Sequence, residues 1–171
     1  MLKEKLQQDV KDALKSGDSR KRMVLGMVLS AIKSREIEKR GKIIGGAGPG
    51  LYASDKPLEE QILLNDDEVI SVLSSEIKKR KDSIEQYEKG GRPELAEQEK
   101  QESDILMGYM PEQMPEEQIR EEVKKAIAET GAKDVKEMGK VLGALMPKVK
   151  GKADGQLVSQ IVKEELSKNP V

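Results

Sequence analysis

The sequence predicts an all-α protein: N-terminal helical hairpins followed by a small three-helix C-terminal bundle. Three observations carry this. Apolar residues recur at three- and four-residue steps along nearly the whole chain. Glycines and prolines fall mainly between the periodic stretches, where helices start and stop. The only aromatics are Tyr52, Tyr87 and Tyr109, with no Phe or Trp, and strands favour aromatic and β-branched residues.

Leu2, Leu6, Val10 and Leu14 mark a first amphipathic helix, ended near Gly17. Asp18 and Ser19 offer caps for a second, running to about Arg40. From Met23 to Ile32 it is apolar on most faces, so it should be the most buried element. An antiparallel hairpin would set Leu14 near Arg22, Leu6 near Leu29 and Leu2 near Ile32. Residues 41–64 read as a long surface loop, because GKIIGGAGPG is rich in helix breakers; Pro57 suits the start of a short helical turn.

Asn65, Asp66 and Asp67 form a capped start for the third helix, which is stopped after Lys89 by Gly90 and Gly91. Pro93 opens a fourth, running to Tyr109. Pro115 opens a fifth, closed by Gly131, and a sixth covers about Val135 to Leu145. KVKGKADG is a turn, with Asp154 capping a last helix to Ser167. Its apolar face is Leu157, Val158, Ile161, Val162 and Leu166. The proline-flanked PEQMP separates an N-terminal domain, 1–110, from a C-terminal one, 111–171.

One break in the period is informative. Leu73, Ile77, Ile84 and Tyr87 step along the third helix, and the position between them that should be apolar is Arg80. The fourth helix has Leu95, Leu106 and Tyr109, with Glu99 and Glu102 at the apolar positions between. A hairpin through GGRP brings residues whose numbers sum to about 182 face to face. Arg80 is therefore expected to pair with Glu102 or Glu99 inside the seam, with snorkelling into water as the alternative. Such a pair fixes register more than it stabilises.

Composition excludes much chemistry. Charged residues make up 37%, and there is no Cys and no His. Zinc sites of the usual kind, thiol chemistry, disulfides and Ser-His-Asp triads are ruled out. No cofactor and no metal are expected. The carboxylates Glu97, Glu99 and Glu102 read as a solvated face or seam partners. GGAGPG lacks the Gly-Lys-Ser/Thr ending of a phosphate loop. The charged N-terminal stretch has no apolar run, and the expected compartment is the cytoplasm.

The net charge of −1 is a sum of opposites. Residues 1–43 carry twelve Lys/Arg against six Asp/Glu (+6), residues 82–122 four against thirteen (−9), and residues 123–171 ten against six (+4). In the last segment Lys140, Lys148, Lys150 and Lys152 surround the turn that leads into a helix N-terminus. Free N–H groups and the helix dipole favour an anion there, and an RNA phosphate suits it; the alternative is a solvated loop with ordinary surface lysines. The run Lys78-Lys79-Arg80-Lys81 spreads over all faces of a helix and forms no patch.

KEMGKVLGALMPKVKGKADGQLVSQIVKEEL, from Lys136 to Leu166, closely resembles the C-terminal segment of the YqeY-like protein family. SEIKKRKDSIEQYEKGGRPELAEQE with ILMGYMPEQM resembles its middle, and LSAIKSREIEKR its second helix. The resemblance covers nearly the whole chain except about Lys42 to Leu64, which looks like an insertion. It implies a small, all-helical, cytosolic protein similar to the helical tail of the B subunit of tRNA-dependent amidotransferases (GatB). That tail engages tRNA, while the catalysis, with glutamine as amido donor, lies in other domains. By family label the chain sits near carbon–nitrogen ligases, yet no active site for that chemistry is visible in its residues. Carried onto this sequence, Lys140, Lys150 and Lys152 would contact backbone phosphates. Met138 would be core, Gly139 would allow close helix packing, and Asp154 would cap the last helix. The expected function is a non-catalytic tRNA-binding module. The alternative is a protein–protein adaptor, or an accessory factor of an amidotransferase or aminoacyl-tRNA synthetase.

Overall fold

The computed structural model describes residues 1–46 and 57–168. Every regular element among them is helical: α1 (Leu2–Ser16), α2 (Ser19–Gly46), α3 (Leu58–Ile62), α4 (Asp66–Lys89), α5 (Pro93–Met107), α6 (Glu116–Thr130), α7 (Met138–Val149) and α8 (Gly155–Lys168). A 3-10 turn, Val135–Glu137, precedes α7. The chain forms two compact units, Met1–Tyr109 and Met110–Val171.

In the first unit α1 and α2 form a hairpin. Gly17, at φ 76°, closes α1 in the left-handed conformation. Asp18 Oδ1 accepts from Lys21 N at 2.9 Å and caps α2. Leu6, Val24, Leu25, Val28 and Ile32 are fully buried. Leu14 is 60% exposed, and Ala13 takes the inward position in its place. From Leu2, eleven residues make about three whole turns, while twelve overshoot by about a third of a turn. The four-residue stepping therefore drifts off the core by its third repeat.

α2 differs from expectation in two respects. It is covered on one side only: Met23 and Met27 face outward. It also runs to Gly46, past Gly41. One helical glycine costs about 1 kcal/mol, and tertiary ties beyond Arg40 outweigh it. Ile43 is half-buried, and α2 packs against α3. Just before the glycine, Lys39 bonds both Glu68 oxygens at 2.9 Å. The expected loop over 41–64 is thus helical at both ends, with α3 starting after Pro57. Its remainder, 47–56, lies outside the described residues. Glu36, buried on α2, takes Lys3 Nζ at 2.6 Å and Leu64 N at 3.4 Å, joining three segments through one carboxylate.

α4 starts with a reciprocal cap: Asn65 Oδ1 accepts from Glu68 N, and Glu68 Oε2 accepts from Asn65 N, both at 2.9 Å. α5 opens with Pro93 in its first turn. Between them Arg80 is 4% exposed. Its guanidinium reaches Glu102 Oε2 at 3.2 Å (Nη2) and 3.3 Å (Nε), and its Nη1 donates to the Glu76 carbonyl at 3.2 Å. The Glu76 carboxylate stands 3.5 Å from Nη1. Glu99 stays beside the seam; burial, then repulsion from Glu102, holds its carboxyl above the ordinary value against the pull of Arg80. Tyr109 donates to Asp9 with Lys5 over its ring, so the end of the hairpin docks on α1.

In the second unit α6, α7 and α8 enclose Ile119, Val123, Val141, Leu145, Ile161 and Val162. Arg120 clasps α6 to α8, bonding Glu165 at 2.7 Å and Glu164 at 3.2 Å, with Glu116 at 2.9 Å on its own helix. α7 continues beyond Leu145, through Pro147, to Val149. The carbonyl that loses its helical partner to Pro147 belongs to Gly143, which is exposed and so open to solvent. Met138 is half-buried against this core. Gly139 does not mediate close packing: a Cβ built there, or at Gly143, meets nothing within 4 Å.

Three outcomes are expected. Arg80→Ala, which strands Glu76 and Glu102 in a partly buried seam, should cost about 3 kcal/mol or more, read as a lower urea midpoint. For Glu99, both states are protonated at low pH and the residue costs nothing. As pH rises through the unfolded-state value the unfolded chain ionises first, so the folded state is penalised above it. Glu99→Gln should therefore stabilise near neutral pH and be silent at about pH 3, where both forms are neutral. Gly139→Ala should raise stability by about 0.5–1 kcal/mol, since it adds helix propensity and meets no clash; a loss would show that residue 139 is packed.

Candidate nucleic-acid interface

The four lysines read as one cluster occupy three different situations. Lys140 lies in the first turn of α7. The Glu137 carboxylate takes Lys140 Nζ at 2.8 Å and Lys133 N at 2.9 Å. These bonds hold Glu137 below, and Lys140 above, their ordinary pKa values. Lys148, in the last turn of α7, reaches across to Glu129 on α6 at 2.8 Å and 3.1 Å. Lys150 and Lys152 stand on the turn between α7 and α8. Both are exposed, and neither side chain has a bonding partner among the described residues. Lys140 does not belong to that turn, since about 14 Å of helix rise separates it from the end of α7.

The backbone of the turn is fixed although its cations are not. Gly151 is buried at φ 74°, a conformation that requires glycine. Val149 O accepts from Lys152 N at 2.9 Å and Ala153 N at 3.1 Å. The segment before α6 clamps the turn from outside: Gln113 Nε2 donates to Gly151 O at 2.8 Å, and Met114 N to Lys152 O at 2.7 Å. The two free ammonium groups are therefore carried on a rigid support.

The N-terminus of α8 is not an open anion site. Asp154 Oδ1 accepts from Gln156 N at 2.8 Å, so the cap consumes a free N–H and places a carboxylate where an anion was expected. Any phosphate near this turn is held by lysine charge and not by the helix terminus. The run Lys78–Lys81 makes no patch either: Arg80 points into the seam and Lys79 pairs with Glu76 at 2.7 Å. No group of three carboxylates among the described residues is placed to hold a metal ion.

Reading the sequence alone missed three features of this region. Glu137 three residues before Lys140 is a legible helical pair. The Glu129–Lys148 bridge joins two helices and has no local signal. The clamp by Gln113 and Met114 likewise spans 38 residues of chain.

No helix among the described residues is long and apolar enough to cross a membrane. The chain is similar to several fungal proteins called altered inheritance of mitochondria protein 41, mitochondrial. That of Candida glabrata is 29% identical over 107 residues, 63% of this chain and 48% of its own length. That of Kluyveromyces lactis is 33% identical over 104 residues, 61% of this chain and 45% of its own length. The chain thus spans about half the length of these curated relatives. A model of the Yqey-like protein family matches residues 3–46 and 53–166, leaving a gap of only 47–52 in place of the wider insertion read from sequence. With both units matched, the chain belongs to the YqeY-like family.

Proposed function

We propose that the C-terminal unit binds the phosphate backbone of tRNA, without catalysing a reaction of its own. The observation that carries this reading is the rigid α7–α8 turn with Lys150 and Lys152 exposed and, among the described residues, unpaired. Of the cations that do have partners, Lys148 is held by the exposed Glu129 and Lys140, farther along α7, by the half-buried Glu137. Such surface pairs are weak and screened, so a phosphate can replace the carboxylate. The basic charge is local: the stretch from residue 123 onward carries ten Lys/Arg against six Asp/Glu, while the whole unit, with Arg120 and five glutamates before it, is balanced. Resemblance to the tail of the amidotransferase B subunit supports tRNA over other polyanions, and cytoplasm is the compartment this reading favours. The fungal relatives carry mitochondria in their name.

Recognition of this kind reads shape and charge and not base sequence, since aromatic stacking platforms are absent from this surface. Binding of a total tRNA pool should therefore fall steeply with salt. Lys150→Glu with Lys152→Glu should lower affinity at least about tenfold and flatten the salt slope by about one per lysine. Lys140→Glu with Lys148→Glu should cost less, because those charges are already shared with Glu137 and Glu129. Fluorescence anisotropy with labelled tRNA, alongside circular dichroism to verify the fold, measures both. Unchanged affinity in the Lys150/Lys152 variant overturns the reading.

A further inference from the structure

α2 has a second ordered face, directed away from the core. Met23 and Met27 are 51% and 50% exposed, and Ile37 and Ile44 are 60% and 48% exposed. Ser30, Ser34 and Gly41, all exposed, fill the positions between them. The steps from 23 to 44 are 4, 3, 4, 3, 4 and 3 residues. This is the 3.5-residue spacing of a helix seam, sustained for three heptads on a face whose apolar side chains stay about half exposed among the described residues. The stripe is about 30 Å long at 1.5 Å per residue. Its middle is small, so another helix can come close there, and Gly41 has open space where a Cβ would stand.

The stripe has a charged border. Arg22, Lys33 and Arg40 are eleven and seven residues apart, which places them along one flank. All three are exposed, and none makes an ion pair among the described residues. On the other flank Glu38 is already paired with Arg35 at 3.0 Å. An apolar seam with an unsatisfied basic edge matches a helix whose own apolar seam is edged with carboxylates.

We propose that this outward face of α2 is a docking surface for an acidic amphipathic helix of a partner protein. A second copy of the chain fits less well. Antiparallel packing sets Lys33 against its own twin. Parallel packing pairs Lys33 with Glu38 but stacks Arg20 on Arg20 and leaves Arg22 and Arg40 unmatched. This surface lies in the N-terminal unit and is independent of the lysine turn in the C-terminal one.

The probe is a fluorescein-labelled helical peptide of about three heptads with Leu at the seam positions and Glu on both flanks. Its counterpart keeps the Leu seam and carries Lys on the flanks. With the whole chain, the Glu-flanked peptide should bind at least about tenfold more tightly than the Lys-flanked one, and increasing salt should narrow the difference. Met27→Glu with Ile37→Glu should abolish binding. Both side chains are at least half exposed, so helicity and thermal unfolding should be unchanged. Arg22→Glu with Lys33→Glu and Arg40→Glu should reverse the preference. Equal binding of the two peptides, or binding insensitive to the Met27/Ile37 change, overturns the proposal. So does a dimer in sedimentation equilibrium that the same change dissolves, which would make a second copy the occupant. Flotation with vesicles of mixed phosphatidylglycerol and phosphatidylcholine, lost in the same variant, overturns it in favour of a lipid surface.

Discussion

Burial of Val24, Leu25, Val28 and Ile32 beneath the neighbouring helices is the contact on which the N-terminal unit depends, because α1, α3, α4 and α5 all pack against α2. Burying one aliphatic side chain is worth about 1.5–3 kcal/mol, and α2 concentrates four on a single face. The chain has few large apolar residues to spend elsewhere, at 36% hydrophobic and without Phe or Trp. Removing α2 would leave α1, α3 and the α4–α5 hairpin without the surface they all share. The polar ties sort themselves around this contact: Glu36 gathers Lys3 and the Leu64 amide, and Lys39 holds the start of α4 through Glu68.

Each unit also carries one arginine clasp. Arg80 joins α4 to α5 through Glu102, and Arg120 joins α6 to α8 through Glu164 and Glu165. The burial of the two differs. Arg80 sits within the seam, where desolvation offsets the attraction and the main effect is register. Arg120 lies at the edge, so its clasp is more open to solvent and more sensitive to salt. Glu99 shows the cost of placing a third carboxylate near the first seam, since burial and Glu102 both work against its ionisation.

Function in this chain is a matter of which charges remain unspent. Some carboxylates and lysines neutralise one another locally, as Lys125 does with Glu122 and Lys168 with Glu165. Among the described residues, Lys150 and Lys152 in one unit, and Arg22, Lys33 and Arg40 in the other, belong to the cations that make no such pair. The first pair stands exposed on a clamped turn, which suits a hydrated polyanion. The second group borders an apolar stripe, which suits another protein. The near-zero net charge conceals both.

Local signals were legible in the sequence. The Asn65 cap, Pro93 at the start of α5, Gly131 at the end of α6 and the Asp154 cap all act over a few residues, and all stand where the spacing put them. Arg80 was legible for the same reason, since a cation in an apolar period has to be answered from across a hairpin whose turn was already located. Tertiary structure alone decided what is covered. It carried α2 past Gly41, left Met23 and Met27 about half exposed and gave Gly139 open space. It also set Lys148 against Glu129 on a neighbouring helix and clamped the α7–α8 turn from outside. Caps and breaks arise from neighbours along the chain, whereas burial and charge neutralisation depend on which faces other helices happen to cover.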